Sequence, residues 1–210
     1  MLNTHTKSTT RSHILRSVRK LFSRGGFVNS SIRSIAKKID IAPSVIYYYF
    51  PNKEALLRSM FDETNTRLGK KRSQLPQLKS FVKLLEQRIL FQFDQSESVS
   101  AVLKYYFYSR DTFPRQKDGG YLPEKSALHI EEILRIAHES GELRPDINIP
   151  ESAKVITHAI NGFVMEYYPR TPKGRERKQL AKTISALFYP ALTGRNYPHD
   201  TKRKGGDYIL

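Results

Sequence analysis

Along nearly the whole of this chain apolar residues return every three or four positions, while the alternation that would mark a strand is short and rare. Spacing of that kind buries one stripe of a helix and gives a pleated sheet no consistent inner face, so the expected fold is all-α. No internal repeat of roughly 20 to 50 residues is present to suggest a solenoid. Ile14, Leu15, Val18, Leu21 and Phe22 predict a first helix that begins after a capping Thr10 and stops at Gly25-Gly26, with Arg16, Arg19, Lys20 and Arg24 on its other face. Ile32, Ile35, Ala36 and Ile39 then follow Ser30-Ser31 at i, i+3, i+4 and i+7, the stripe of a second, short helix. Asp40-Ile41-Ala42 breaks the pattern, and Pro43 suits the first position of a third helix, where a missing N–H costs nothing. Pro51 disfavours helix at Phe50, and Asn52 can cap a fourth helix from Lys53.

Further helices are expected near residues 76–94, 97–110, 123–140, 150–168 and 174–192. Between them, 111–123 reads as a Gly- and Pro-containing loop and 141–150 as a helix stop with an extended connector. The organisation expected is a flexible arm over 1–10, a three-helix unit over 11–57, a larger helical domain over 58–193, and a basic, flexible tail over 194–210.

Charge is distributed as unevenly as the elements. The chain carries a formal +16 over 210 residues, which points to a polyanionic partner. Residues 1–72 hold 15 Lys and Arg against 4 Asp and Glu, a net +11, whereas residues 120–168 hold 4 against 8, a net −4. Residues 169–204 are basic again, 10 against 2, but those cations flank and punctuate a helix and a tail and read more readily as a solvated surface than as a binding face. No apolar run approaches the ~20 residues that span a bilayer, and Met1–Thr10 is too polar for an export signal, so a cytoplasmic protein without membrane contact is expected. Without cysteine there is no disulfide, thiolate metal site or cysteine nucleophile.

Two short helices joined by a tight turn are the unit that sets a recognition helix into the major groove of DNA. Such pairs also occur in structural cores. The chemistry of the third helix adds weight, because Ser44, Val45, Tyr47 and Tyr48 are expected to project away from the apolar anchors Ile46 and Phe50. The stretch from Phe22 to Leu57, FSRGGFVNSSIRSIAKKIDIAPSVIYYYFPNKEALL, resembles the DNA-binding segment of the TetR family. The resemblance rests on Phe22, Gly26-Phe27, Ile35-Ala36, Tyr47, Phe50, Lys53 and Leu56-Leu57. Three positions depart from the family pattern. Asp40 replaces a common turn glycine, Ala42 a capping serine, and Ser44 a frequent glycine. Asp tolerates a left-handed turn, whereas Ala42 forgoes a capping oxygen worth ~1 kcal/mol.

The resemblance implies a dimeric, effector-released repressor of transcription bound to double-stranded DNA. It implies phosphate contacts from Ser30 or Ser31, Tyr48 and Lys53, and base contacts from Ser44, Val45 and Tyr47, with Pro43 opening the recognition helix. Arg33, Lys37 and Lys38 read equally as DNA contacts or as a solvated face, and Tyr49 as an internal residue. It also implies a dimer interface on the last two long helices, here Ile156, Ile160, Phe163, Ile184, Leu187 and Phe188, with Gly162 permitting close approach. An effector pocket is implied in the helices between, with Phe81, Leu85, Ile89, Phe93, Tyr105 and Tyr106 as candidates; ordinary core packing explains each of them equally well.

Enzyme classes find no support. There is no P-loop, G-x-G-x-x-G or G-x-S-x-G, and the six histidines are scattered, with His129 and His138 on opposite faces of one helix. No cofactor, metal or catalytic residue is expected. The competing class is a protein that coats nucleic acid without reading sequence; both readings predict salt-sensitive binding, but only the regulator predicts a preferred palindrome.

Overall fold

In the computed structural model, the described residues are 4–25, 30–76, 78, 80–112 and 122–198, with side chains described from Thr10 to Tyr108 and from Ala127 onward within those limits. Among them the fold is entirely helical: α1 (Thr4–Ser23), α2 (Ile32–Lys38), α3 (Pro43–Tyr49), α4 (Lys53–Ser73), α5 (Phe81–Asp94), α6 (Ser96–Thr112), α7 (Leu122–Glu139), α8 (Ile149–Tyr167) and α9 (Gly174–Thr193).

The local chemistry of the first four helices explains their limits. Ser31 caps α2 by accepting from Ser34 N at 3.2 Å, and Asn52 caps α4 by accepting from Ala55 N at 2.8 Å. Pro43 opens α3, whose N-cap, Ala42, makes no side-chain bond. Asp40 takes the left-handed conformation, φ 54°, that the turn requires. α1 does not begin at Thr10. It runs from Thr4, because no Gly or Pro in that stretch opposes helix propagation, so the expected flexible arm is helical over most of its length. Its C-terminus is released at Gly25, φ 85°.

Two cores divide the chain. The first packs Ile14, Leu15, Val18 and Phe22 of α1, Ile32, Ile35 and Ala36 of α2, Ile46 and Phe50 around α3, and Leu56, Leu57 and Met60 of α4. Ala101 and Tyr105 of α6 belong to this core, so the N-terminal unit is seated on the rest of the chain. The second core joins the end of α4 to α5–α9, with α7 against α8 and α5 against α9. Phe61 packs against both.

Several boundaries differ from expectation. The helix expected from residue 76 starts at Phe81, since the stretch containing Pro76 joins neither α4 nor α5. Most of the loop expected over 111–123 lies outside the described residues. The expected flexible tail is docked at its start. Tyr197 bonds Glu86 of α5 and sets its ring edge-on to Tyr189, centroids 5.7 Å apart, while the remainder of the tail lies outside the described residues.

Candidate nucleic-acid interface

The turn Ile39–Ala42 decides what α3 presents. Its left-handed Asp40 swings the chain so that Ile41 N reaches Ala36 O at 3.0 Å and α3 starts at an angle to α2. Ile46 and Phe50, four residues apart, then fall on one face and are buried against α1, α2 and α4. That leaves Ser44, Tyr47 and Tyr48 outside, with Tyr47 50% and Tyr48 61% exposed. Two exposed tyrosines on a seven-residue helix present hydroxyls on the side away from the core, chemistry suited to base edges or phosphates.

The other expected contacts are placed less uniformly. Ser31 is exposed and Ser30 half-buried; Arg33, Lys37 and Lys38 are exposed along α2, and Pro43 is exposed at the start of α3. Val45 is half-buried and packs against the first core, so a base contact by its side chain competes with its internal packing. Tyr49 packs inward, as expected, with its ring edge-on to Tyr48 at 4.9 Å. Lys53 is half-buried and lies over the Tyr108 ring at 5.2 Å, which ties its cation to α6.

Sequence spacing could not reveal what lies behind this surface. Arg19, expected on the face of α1 opposite its apolar stripe, is buried and pairs with Glu97 of α6 at 3.2 Å. The last carbonyl of α1, Ser23 O, accepts from Lys104 and from Ser100 Oγ, the latter at 3.1 Å. A cation at a helix C-terminus is favourable to the helix dipole, and it comes here from a residue 81 positions away. The Ser23 hydroxyl donates to Lys20 O at 2.8 Å, so at 2.7 Å it accepts from the Tyr168 hydroxyl just past α8.

The expected effector residues fall in different parts of the packing. Phe81, Leu85, Ile89 and Phe93 are buried in the second core, Tyr105 belongs to the first core against Phe61 and Phe22, and Tyr106 is half-buried beside Phe107. The groove along α1 and α4 has ionic walls, including Arg11, Asp62, Glu63, Arg67 and Lys70, and none of the six lines it. The expected dimer residues divide as well. Ile156, Ile160 and Ile184 are filled into the chain's own core, whereas Phe163 and Phe188 are half-buried and Leu187 is 63% exposed.

A short helix anchored by two buried side chains, offering hydroxyl-bearing residues outward across a tight turn from a second short helix, defines a helix-turn-helix DNA-binding protein. Residues 14–60 match the family described as bacterial regulatory proteins, tetR family. Over that segment the chain is similar to the TetR family of transcriptional regulators. It is 24% identical over 174 residues to the HTH-type transcriptional regulator UidR of Escherichia coli, covering 75% of this chain and 81% of that protein. Over 59 residues it is 42% identical to YuxN, an HTH-type transcriptional regulator of Bacillus subtilis, covering 26% of this chain and 20% of that one. Its fold is similar to that of the fatty acid degradation regulator FadR from Bacillus halodurans, with TM-score 0.62, 19% identity, and 85% of this chain and 94% of that chain covered.

Proposed function

We propose that this protein is a sequence-specific homodimeric repressor that holds a pseudo-palindromic operator and releases it when a small-molecule effector binds. The observation that carries the reading is the exposure of Tyr47 and Tyr48 beside Ser44 on a helix whose opposite face is buried. In this reading Ser44 and Tyr47 meet bases, with Val45 adding an apolar edge. Ser30 or Ser31, Tyr48, Lys53 and Arg33 meet phosphates, Lys53 after leaving the Tyr108 ring. The DNA-reading unit runs to about residue 57, and residues 58–193 bind effector and pair subunits; the protein acts in the cytoplasm by binding alone.

Dimerisation is supported by the outer faces of α8 and α9. Val155 is 54% exposed, Leu187 63%, and Gly162 has open space where a Cβ would stand. Large exposed apolar side chains on two long helices suit a twofold partner better than water does. A dimer sets two copies of α3 about one DNA turn apart, ~34 Å, and so reads an inverted repeat.

Selection of binding sites from a random duplex pool at near-physiological salt tests the reading. An inverted repeat should be enriched, and Tyr47→Ala should weaken its binding by about tenfold or more while leaving the fold intact. Uniform binding to every duplex would favour a protein that coats DNA without reading it.

A further inference from the structure

Lys53 stands at the first position of α4, a short link beyond the exposed Tyr48 of the recognition helix. A cation there meets the positive end of the helix dipole, so the dipole of α4 disfavours it. The cap at this end is supplied by Asn52, which accepts from Ala55 N, and owes nothing to the lysine. α6 offsets the cost. Tyr108 sets its ring beneath the ammonium, with Lys53 Nζ 5.2 Å from the ring centre, and the lysine is half-buried there. An ammonium at that distance is drawn to the negative face of an aromatic ring.

The ring is itself held in place. Phe22, near the end of α1, meets it at 78° with centroids 6.2 Å apart. Tyr105, one turn earlier on α6, lies 6.4 Å from Phe22 and 4.6 Å from Phe61 of α4, again between ring centroids. Further back, Ser100 and Lys104 of the same helix donate to Ser23 O, and Val99, Val102 and Leu103 are packed into the second core. The packing of α1, α4 and α6 therefore fixes where the Tyr108 face lies, and Lys53 comes to it. A long lysine stem has rotamer freedom to leave such a face, whereas a ring wedged among other rings has little.

We propose that Tyr108 sets the affinity for DNA: its ring competes with a DNA phosphate for the Lys53 ammonium and holds the protein below the affinity that its cations could otherwise reach. The inference rests on the reading above in which Lys53 meets a phosphate, and it names the group that restrains that lysine. Each subunit gives up one ammonium–ring contact when it binds, so the restraint counts twice in a dimer. Phosphates carry no base sequence, so the restraint acts on every duplex alike. It also lies on α6, the helix that the two cores share, which places a determinant of DNA affinity outside the DNA-reading unit.

Fluorescence anisotropy with the full-length protein, across a salt series, on the selected duplex and on a random-sequence duplex of equal length, tests the restraint. Tyr108→Leu removes the aromatic face and should tighten binding to both duplexes by about tenfold for the two subunits together. A ring that serves only to pack against Phe22 predicts the opposite sign, weaker binding. Tyr108→Phe keeps the face and should bind as the parent does. Lys53→Gln should lower the log–log salt slope by about two, for one phosphate in each subunit, and in that background Tyr108→Leu should change nothing. Weaker or unchanged binding in Tyr108→Leu, or equal tightening with and without Lys53, overturns the proposal. Should Tyr108→Leu fail to fold, a trifluorinated phenylalanine at position 108, which fills the space with a depleted face, is compared with Tyr108→Phe, and equal affinities overturn it. A slope that Lys53→Gln leaves unaltered removes the phosphate contact and the restraint with it. If no palindrome is selected, the sequence-specific reading falls and the random duplex still decides the restraint.

Discussion

The N-caps of α2, α3 and α4 differ in whether they carry a side-chain oxygen, and the difference is measurable. Ser31 and Asn52 offer side-chain oxygens to the first turns of α2 and α4, while Ala42 offers nothing to α3. Ala42 is exposed, with extended backbone, φ −61° and ψ 136°, suited to a capping residue. Ala42→Ser should therefore stabilise the protein by ~1 kcal/mol, seen as a rise in thermal midpoint. An unchanged midpoint would mean that water already serves those N–H groups as well as a hydroxyl does. Asp40 makes the complementary point. Its φ of 54° is the region where glycine is usual, and Asp is among the few other residues that enter it readily.

Among the helices, α6 mediates between the two cores. It contributes Ala101 and Tyr105 to the first core, Glu97 to buried Arg19, and both Ser100 and Lys104 to the carbonyl that ends α1. Its Val99, Val102 and Leu103 belong to the second core. Tyr168 adds a link from the end of α8 to the Ser23 hydroxyl. Tyr168→Phe deletes that one bond and keeps the ring, so it should cost ~1 kcal/mol in denaturant unfolding. A change below a few tenths would show that the hydroxyl exchanges this bond for water at no cost. α6 also carries Tyr105, expected as an effector contact or as ordinary core, and its ring faces Phe22 and Phe61 in the first core.

At the scale of the whole molecule, charge, burial and symmetry set the behaviour in solution. Leu187→Glu places a charge on the exposed face of α9 and leaves the core untouched. Sedimentation should show dimer turning to monomer, with loss of palindrome binding but retained helicity; a dimer that persists would move the interface off α9. Stability should depend on pH through His129, whose ordinary pKa of 6.5 is lowered to about 4 by burial and then by Arg88 and Arg72. Between those values the unfolded chain binds a proton that the folded chain refuses, so unfolding takes up protons. That contribution to stability is complete above about pH 6.5 and declines as pH falls toward 4. Denaturation midpoints measured across this window should fall with pH, and the fall should be shallower in His129→Gln.

The sequence by itself determined much of what depends on neighbours a few residues apart. Spacings of three and four marked the helices, Asn52, Pro43 and Gly141 marked ends that the structure keeps, and Ile46 with Phe50 marked the buried face of the recognition helix, leaving Tyr47 and Tyr48 outside. These effects are local, so a single strand of text carries them. Only the tertiary structure decided which apolar stripe is covered by which. Ile156, Ile160 and Ile184 share a periodic pattern with Val155 and Leu187, yet the first three fill the chain's own core and the last two face outward. The pairing of Arg19 with Glu97 and the gathering of Arg72, Arg88 and His129 likewise join residues from separate helices. Burial of a charge is set by the packing of whole helices, and no periodicity within one helix encodes it.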